Sequence, residues 1–122
     1  MANMRFKGKV IKGKREGSKI GFPTANIEVL ESTAPGIYAG YTSLKDQAKN
    51  NLPSIFYIAE ESQVIESHVF DFSNTDLYGS EISVEIVHKL RNVRKFSGLE
   101  EAREQIKKDE LEARKWFDSR KS

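Results

Sequence analysis

The alternation of apolar and polar residues along most of the chain predicts short β-strands. Apolar side chains at every second position mark one face of a strand, as at Ile82, Val84 and Ile86. Turn residues separate such runs, and none is followed at once by a helical pattern of 10–15 residues, which disfavours a parallel α/β sheet. The pattern predicts six strands, at 5–12, 26–30, 36–44, 53–59, 64–72 and 81–90. A sheet that closes into a barrel has no unpaired edge strand, so we expect these six strands to form a small antiparallel barrel.

The period of the apolar pattern changes at Ser97. The sequence Ser97-Gly98-Leu99-Glu100 matches a capping box, in which Ser97 caps the first turn and Glu100 reaches back to it. Apolar residues then recur with helical spacing, at Leu99, Ala102, Ile106, Ala113 and Phe117. We therefore expect a barrel over about 5–92 and a C-terminal helix over about 98–117 that packs on it, within one domain spanning 1–122.

Composition excludes several classes of protein. A length of 122 residues suits one domain, and the absence of cysteine excludes disulfides, thiolate zinc sites, iron–sulfur clusters and a cysteine nucleophile. No apolar run approaches the roughly 20 residues that span a bilayer, and the N-terminus lacks the apolar segment of a secretory signal. We expect a cytoplasmic protein with no membrane partner.

The small net charge of +2 conceals an uneven distribution. Residues 1–20 hold seven basic residues and one acidic residue. Residues 21–86 hold two basic and ten acidic residues, and residues 87–122 hold eleven basic and seven acidic residues. Basic ends are typical of a nucleic-acid surface, of a site for a phosphorylated small molecule, or of ordinary solvated faces. Charge alone does not separate these three interpretations.

The segment 13–26, GKREGSKIGFPTAN, is the first candidate for chemistry. Its three glycines let backbone amides approach an anion and its three basic residues add positive charge, although no P-loop pattern is present. A structural turn is the commoner interpretation of such a loop. Thr24 and Asn26 share one face of an extended segment, where their oxygens suit Mg²⁺. From spacing alone, a pair that hydrogen-bonds within a turn is the commoner interpretation.

Two further segments carry candidate residues. In the segment 64–72, VIESHVFDF, alternation places Glu66 in a partly apolar row, where it would be half-buried, as a general base requires. A glutamate that faces water at the rim of a barrel is an equally good interpretation. Tyr78 beside a turn, together with Arg91 and Phe96 in KLRNVRKF, suits the sandwiching of a planar ring. A basic linker between strand and helix is the commoner interpretation of that last run.

The order and spacing of these segments resemble the riboflavin kinase, or flavokinase, family over about residues 6–117. The stretch GFPTAN at 21–26 is close to diagnostic of that family. The resemblance implies a six-stranded antiparallel Greek-key barrel with a C-terminal helix. It also implies a riboflavin kinase that transfers the γ-phosphoryl group of ATP to the 5′-hydroxyl of riboflavin, giving FMN and ADP.

The resemblance also implies a role for each candidate residue. By the resemblance, Glu66 would be the catalytic residue that accepts the hydroxyl proton, and Thr24 and Asn26 would hold Mg²⁺ or another divalent cation. The residues expected to contact the nucleotide are Gly17, Ser18, Lys19, Gly21, Pro23 and Thr24. Those expected to contact the flavin are Arg91, Phe96 and Tyr78.

Two alternatives accompany this interpretation. The run 58–63, IAEESQ, is shorter and more acidic than the corresponding family segment, so a flavin- or nucleotide-binding module without turnover is the second hypothesis. A nucleic-acid-binding barrel is the third, and it leaves GFPTAN and Glu66 unexplained, so we expect no nucleic-acid partner. No adenylyltransferase domain precedes Met1, so we expect the reaction to stop at FMN, with an FAD-forming adenylyltransferase as a fused or separate partner.

Overall fold

A computed structural model describes residues 3–11, 24–29, 33–45, 48–60, 63–72 and 77–120. These residues form a six-stranded barrel with one helix, which confirms the all-β fold with a C-terminal helix. The elements are β1 (Met4–Ile11), β2 (Ala25–Glu28), β3 (Gly36–Leu44), β4 (Lys49–Ile58), β5 (Val64–Val69), β6 (Glu81–Arg91) and α1 (Leu99–Ser119).

The barrel is closed, and its strands follow the order β1-β2-β5-β4-β3-β6 with every neighbouring pair antiparallel. Strands β3, β4 and β5 lie side by side in chain order, and β6 returns to lie beside β3. That arrangement is a Greek key, as the family resemblance implied. It places β2 against β5.

Strand β4 begins earlier than its apolar pattern indicated. Backbone pairing with β3 extends from Gly36↔Ile58 to Leu44↔Lys49, so residues 49–52 belong to the strand and not to a loop. Strand β5 is shorter than predicted, because the chain turns at Phe70 and Asp71 has a positive φ of 57°. Pairing with β3 sets the start of β4 and the turn at Phe70 sets the end of β5, and the alternation of apolar residues reports neither.

The barrel interior is filled by the alternating apolar residues. Ile82, Val84 and Ile86 of β6 are buried there, as their spacing predicted. Three hydroxyl side chains are also fully buried inside the barrel: Thr42, Ser54 and Ser67. Thr42 Oγ1 lies 2.7 Å from Ser54 Oγ and 3.1 Å from Ser67 Oγ, so β3, β4 and β5 are linked through one hydroxyl.

Replacing Thr42 with valine tests this buried link. The substitution keeps the shape but removes the shared hydroxyl, so the buried Ser67 hydroxyl loses its bond to Thr42. We expect the free energy of unfolding to fall by about 1–3 kcal/mol in urea titration. Ser43→Ala on the same strand removes only an exposed bond from the Asn51 amide, and should change it by less than about 0.5 kcal/mol. Equal effects of the two variants would contradict a structural role for the network.

Helix α1 packs on the outer face of the barrel. Ala113 and Phe117 are buried there in a second apolar cluster with Ile37, Ala39 and Ile55. Leu99 is 59% exposed, so the prediction that it belongs to the packed face is wrong. The apolar stripe therefore engages the barrel only from about the second turn of the helix onward. None of the described helices is long and apolar enough to cross a membrane.

The predicted capping box is also wrong. The N-cap residue is Gly98, which has extended backbone angles and no side chain to cap the helix. Ser97 lies one position earlier, and its hydroxyl donates to Glu101 Oε2 at 3.0 Å. Glu100 instead pairs with Arg103, at 3.8 Å. The helix therefore begins one residue later than the motif predicted, and the Ser97 hydroxyl bonds to the Glu101 side chain in the first turn instead of to the backbone.

Candidate active site

The register of three adjacent strands brings the predicted catalytic residue beside one of the predicted metal ligands. Glu66 on β5 lies opposite Asn26 on β2 and opposite Tyr57 on β4. Side chains directly opposite each other in an antiparallel pair point to the same face. These three side chains therefore form a row across the outer face of the barrel.

Thr24 completes the row at its β2 side. Its Oγ1 donates to Glu66 Oε1 at 3.2 Å, and Glu66 is itself half-buried. Asn26 is only 8% exposed. The structure thus brings Thr24, Asn26 and Glu66 together, although 42 residues of chain separate Thr24 from Glu66. A carboxylate, a hydroxyl and an amide oxygen side by side form a donor set suited to a hard cation.

A pocket of about 160 Å³ opens next to Glu66. It lies between the ends of β3–β6, the loop 92–98 and the first half of α1. Its lining is mostly apolar, with one carboxylate and two guanidinium groups: Ile37, Tyr57, Ile58, Ala59, Glu66, Arg91, Val93, Arg94, Phe96 and Ile106. A mostly apolar pocket with a few charged groups suits a flat ring that carries a polar tail.

Tyr57 is the ionisable neighbour of Glu66 in this pocket. Burial raises the pKa of the Tyr57 hydroxyl far above its ordinary value, and the Asp109 carboxylate raises it further. The Arg91 guanidinium opposes these effects without cancelling them. Tyr57 is therefore neutral at physiological pH, and Glu66 is the pocket residue suited to accept a proton.

Arg91 and Phe96, two of the predicted flavin contacts, both line this pocket, and Arg91 is held within the chain. Its Nε and Nη2 donate to Asp109 Oδ1 and Oδ2 at 2.7 and 2.8 Å, and its Nη1 donates to the Asn92 carbonyl at 3.0 Å. The Phe96 ring centre lies 6.0 Å from the Arg91 guanidinium and 5.3 Å from that of Arg94. Both arginines therefore flank the aromatic ring.

Sequence reasoning missed Asp109, which is buried on α1 with only 3% exposure. The signal was present, because Asp109 occupies the same helical stripe as Ile106, Ala113 and Phe117. A carboxylate in an apolar stripe requires a buried partner. That partner is Arg91 at the end of β6.

The remaining predicted residues lie elsewhere. Tyr78 is 64% exposed and does not line this pocket; the amide of the adjacent Gly79 donates to the Val10 carbonyl at 3.0 Å, near the β1–β2 pair. The predicted nucleotide contacts fall outside the described residues: Gly17, Ser18, Lys19, Gly21 and Pro23. In the segment 58–63, the Gln63 carbonyl accepts a hydrogen bond from the Val29 amide. Residues 61–62 of that segment are outside the described residues.

With this geometry established, comparison with known proteins identifies the family. The family model described as riboflavin kinase (Flavokinase) matches residues 1–117. The chain belongs to the riboflavin kinase family. A relative in this family, the bifunctional riboflavin kinase/FMN adenylyltransferase of Bacillus subtilis, is 36% identical over 121 residues. That match covers 92% of the chain but only 38% of the relative, so the chain spans well under half the length of that protein.

Solved structures show the same barrel. A Streptococcus pneumoniae protein described as a macrolide-efflux protein matches with a TM-score of 0.79 and 26% identity, over 94% of the chain and 40% of that protein. Riboflavin kinase from Trypanosoma brucei matches with a TM-score of 0.71 and 20% identity, over 95% of the chain and 78% of that protein. The second likeness, at that identity, supports the fold alone.

Proposed function

We propose that this chain transfers the γ-phosphoryl group of ATP to the 5′-hydroxyl of riboflavin, giving FMN and ADP. The observation that carries the proposal is the position of Glu66, between the Thr24 and Asn26 oxygens on one side and the apolar pocket on the other. In a member of the riboflavin kinase family, this arrangement supplies a flavin pocket and a proton acceptor at its edge.

The proposed chemistry requires little beyond positioning. Glu66 accepts the proton of the 5′-hydroxyl as the oxygen forms its bond to the γ-phosphorus. The bond from that phosphorus to the β–γ bridging oxygen breaks, and ADP leaves with the electron pair. Such transfers depend on alignment and on stabilising charge on the phosphoryl oxygens. Tyr57 and Phe96 would form walls of the pocket for the ring.

The residues beside Glu66 fit a magnesium ion shared with the nucleotide. Among the described residues no group of three or more His, Cys, Asp or Glu side chains could hold a metal, so a cage made of protein carboxylates is not indicated there. Mg²⁺ commonly binds through one or two protein oxygens together with substrate phosphates and water. Thr24 and Asn26 would hold it, and when bound it would neutralise charge on the phosphates.

Incubation with riboflavin and MgATP, followed by chromatography, tests the proposal. We expect FMN and ADP to appear in equal amounts. Binding of FMN and ADP without any turnover would instead support the second hypothesis, a binding module with the same fold. Failure to bind either ligand would contradict both.

Removal of the metal gives a separate prediction. Excess EDTA should abolish FMN formation and added Mg²⁺ should restore it. Asn26→Leu replaces the amide with an apolar side chain of similar size. It should raise the Mg²⁺ concentration required for half-maximal activity by about tenfold. It should leave riboflavin affinity unchanged. Asn50→Leu, at an exposed asparagine of β4, is the matched control, and equal Mg²⁺ requirements for the two variants would contradict the assignment.

The charge distribution in the described part of the chain does not favour nucleic acid. The exposed basic residues of β1 alternate along one face, and acidic residues of β6 lie opposite two of them. Arg5 is 3.4 Å from Glu85, and Lys9 is the register partner of Glu81. Adjacent acids weaken the continuous positive surface that nucleic-acid binding requires.

We also propose that an FMN adenylyltransferase activity uses the product. The Bacillus subtilis relative is named for both activities, and the chain spans 38% of it. FMN made by the kinase is the substrate that such a second activity would consume. A cytoplasmic location, where both activities would meet, stays a prediction.

A further inference from the structure

The loop 92–98 contains no helix or strand, but side chains at the end of β6 and within the loop are hydrogen-bonded to one polar row on α1. The row has a spacing of four residues and consists of Glu101, Gln105 and Asp109. Residues four apart lie above one another on a helix. The side chains bonded to the row have a spacing of three residues and are Arg91, Arg94 and Ser97.

Gln105 connects the two arginines. Its Nε2 donates to Asp109 Oδ1 at 3.0 Å, while its Oε1 accepts a bond from Arg94 Nη1 at 2.8 Å. Asp109 also receives the two bonds from Arg91 described above. One continuous set of hydrogen bonds therefore runs from the end of β6, through α1, to the middle of the loop.

Asp109 carries most of this restraint. Burial of a carboxylate is costly unless its oxygens are paired, and here three N–H groups from Arg91 and Gln105 bond to them. A two-point bond between guanidinium and carboxylate also fixes orientation, which a single bond does not. Arg91 therefore has a defined direction at the place where it meets Phe96.

Apolar packing docks the helix independently of this row. Ala113 and Phe117 are buried against the barrel, and Trp116 stacks on His88 of β6 with ring centres 5.2 Å apart. These contacts lie one to two turns beyond Asp109. These apolar contacts hold the second half of α1 to the barrel, while the bonds of the polar row act on the end of β6 and on the loop that lines the pocket.

We propose that Asp109 and Gln105 are positioning residues for flavin binding. They hold Arg91 and Arg94 so that these two residues and Phe96 form one wall of the pocket that contains Glu66. This inference rests on the proposed riboflavin kinase function. It assigns to α1 the task of shaping the flavin side of the site, while the ATP side depends on other residues.

Riboflavin binding by two variants tests the proposal. Asp109→Asn removes the charge that pairs with Arg91. Gln105→Ala removes the hydrogen bond to Arg94 Nη1, while it leaves the Arg91–Asp109 pair and the 3.4 Å contact between Arg94 and Glu101 intact. Flavin fluorescence gives the Kd for riboflavin, and initial rates give KM and kcat. We expect the riboflavin Kd and KM to rise about tenfold for Asp109→Asn and by a smaller factor for Gln105→Ala. The KM for ATP should stay within about twofold.

Trp116, the single tryptophan of the chain, provides the readout for a merely structural effect. Its emission reports the stacking on His88 and should be unchanged in both variants. Glu112→Gln is the matched control, because it removes an exposed carboxylate from the same helix. It should bind riboflavin like the wild type.

Three outcomes would overturn the proposal. The first is riboflavin affinity within twofold of wild type in both variants, and the second is a parallel loss of Trp116 stacking, ATP affinity and riboflavin affinity. The third is a wild-type protein that binds no riboflavin, which would also overturn the proposed function. The first outcome, with normal binding by the wild type, would overturn the positioning role alone. If Asp109→Asn does not fold, the Gln105→Ala variant alone decides the test.

Discussion

Replacing Glu66 with glutamine should lower kcat for FMN formation by about 10²–10⁴-fold, the usual contribution of a general base. Glutamine has nearly the same shape and keeps an oxygen that can accept the bond from Thr24 Oγ1. It cannot accept the proton of the 5′-hydroxyl. The affinities for riboflavin and ADP should therefore change little, and the loss should lie in kcat. Single-turnover measurement of FMN with saturating MgATP separates the chemical step from binding.

Glu28→Gln is the matched control for this experiment. Glu28 is an exposed glutamate on β2, the strand that neighbours Glu66 across the sheet. Removing its charge should leave kcat within about twofold of wild type. A Glu66→Gln enzyme with wild-type kcat would show that Glu66 does not act as the proton acceptor, and one that has lost riboflavin binding would contradict a role confined to the chemical step.

Replacing Gly40 with alanine should have the largest effect on stability. A Cβ atom at Gly40 would lie 1.9 Å from the Glu85 carbonyl oxygen and 2.9 Å from a ring carbon of Phe56. The β3–β6 register shifts between Ala39 and Gly40, and Glu85 belongs to the partner strand. Relief of the clash requires movement of the backbone, so we expect a loss of at least about 3 kcal/mol in the free energy of unfolding.

Thermal unfolding of the Gly40→Ala protein measures that loss. At this chain length it corresponds to a fall in Tm of roughly 10 °C or more. Gly98→Ala is the control, because a Cβ there meets no atom within 4 Å and the backbone is extended. That variant should lose no more than about 1 kcal/mol. Similar Tm values for the two variants would contradict a closed barrel with strands this close at Gly40.

Much of the fold could be predicted from the sequence, because its dominant signal is local. Alternation at Ile82, Val84 and Ile86 reports one buried face, and that face is the barrel interior. The start of β4 at Lys49 could not be predicted, because exposed polar residues there join the strand by pairing with β3. The helix start differed by one residue, because Ser97 bonds to a side chain instead of capping the backbone.

The candidate site was predictable where residue chemistry and strand spacing coincided. Thr24 and Asn26 were selected from one segment and Glu66 from another, and the β2–β5 pairing brings them together. The partner of Arg91 was not predictable, because the β3–β6 register shifts twice near the end of β6. Such irregularities change the direction in which side chains point, and they cannot be predicted from the alternation of apolar residues alone. Arg91 consequently bonds Asp109 instead of projecting as a free guanidinium.

A crystal structure with riboflavin, Mg²⁺ and a non-hydrolysable ATP analogue tests the central claim most directly. The quantity to measure is the distance from the riboflavin 5′-hydroxyl oxygen to the nearer Glu66 carboxylate oxygen. We expect hydrogen-bond distance, about 2.6–3.2 Å, with the ring in the pocket beside Phe96. A flavin bound elsewhere on the barrel, or a hydroxyl more than about 5 Å from Glu66 with no bridging water, would contradict the proposed site.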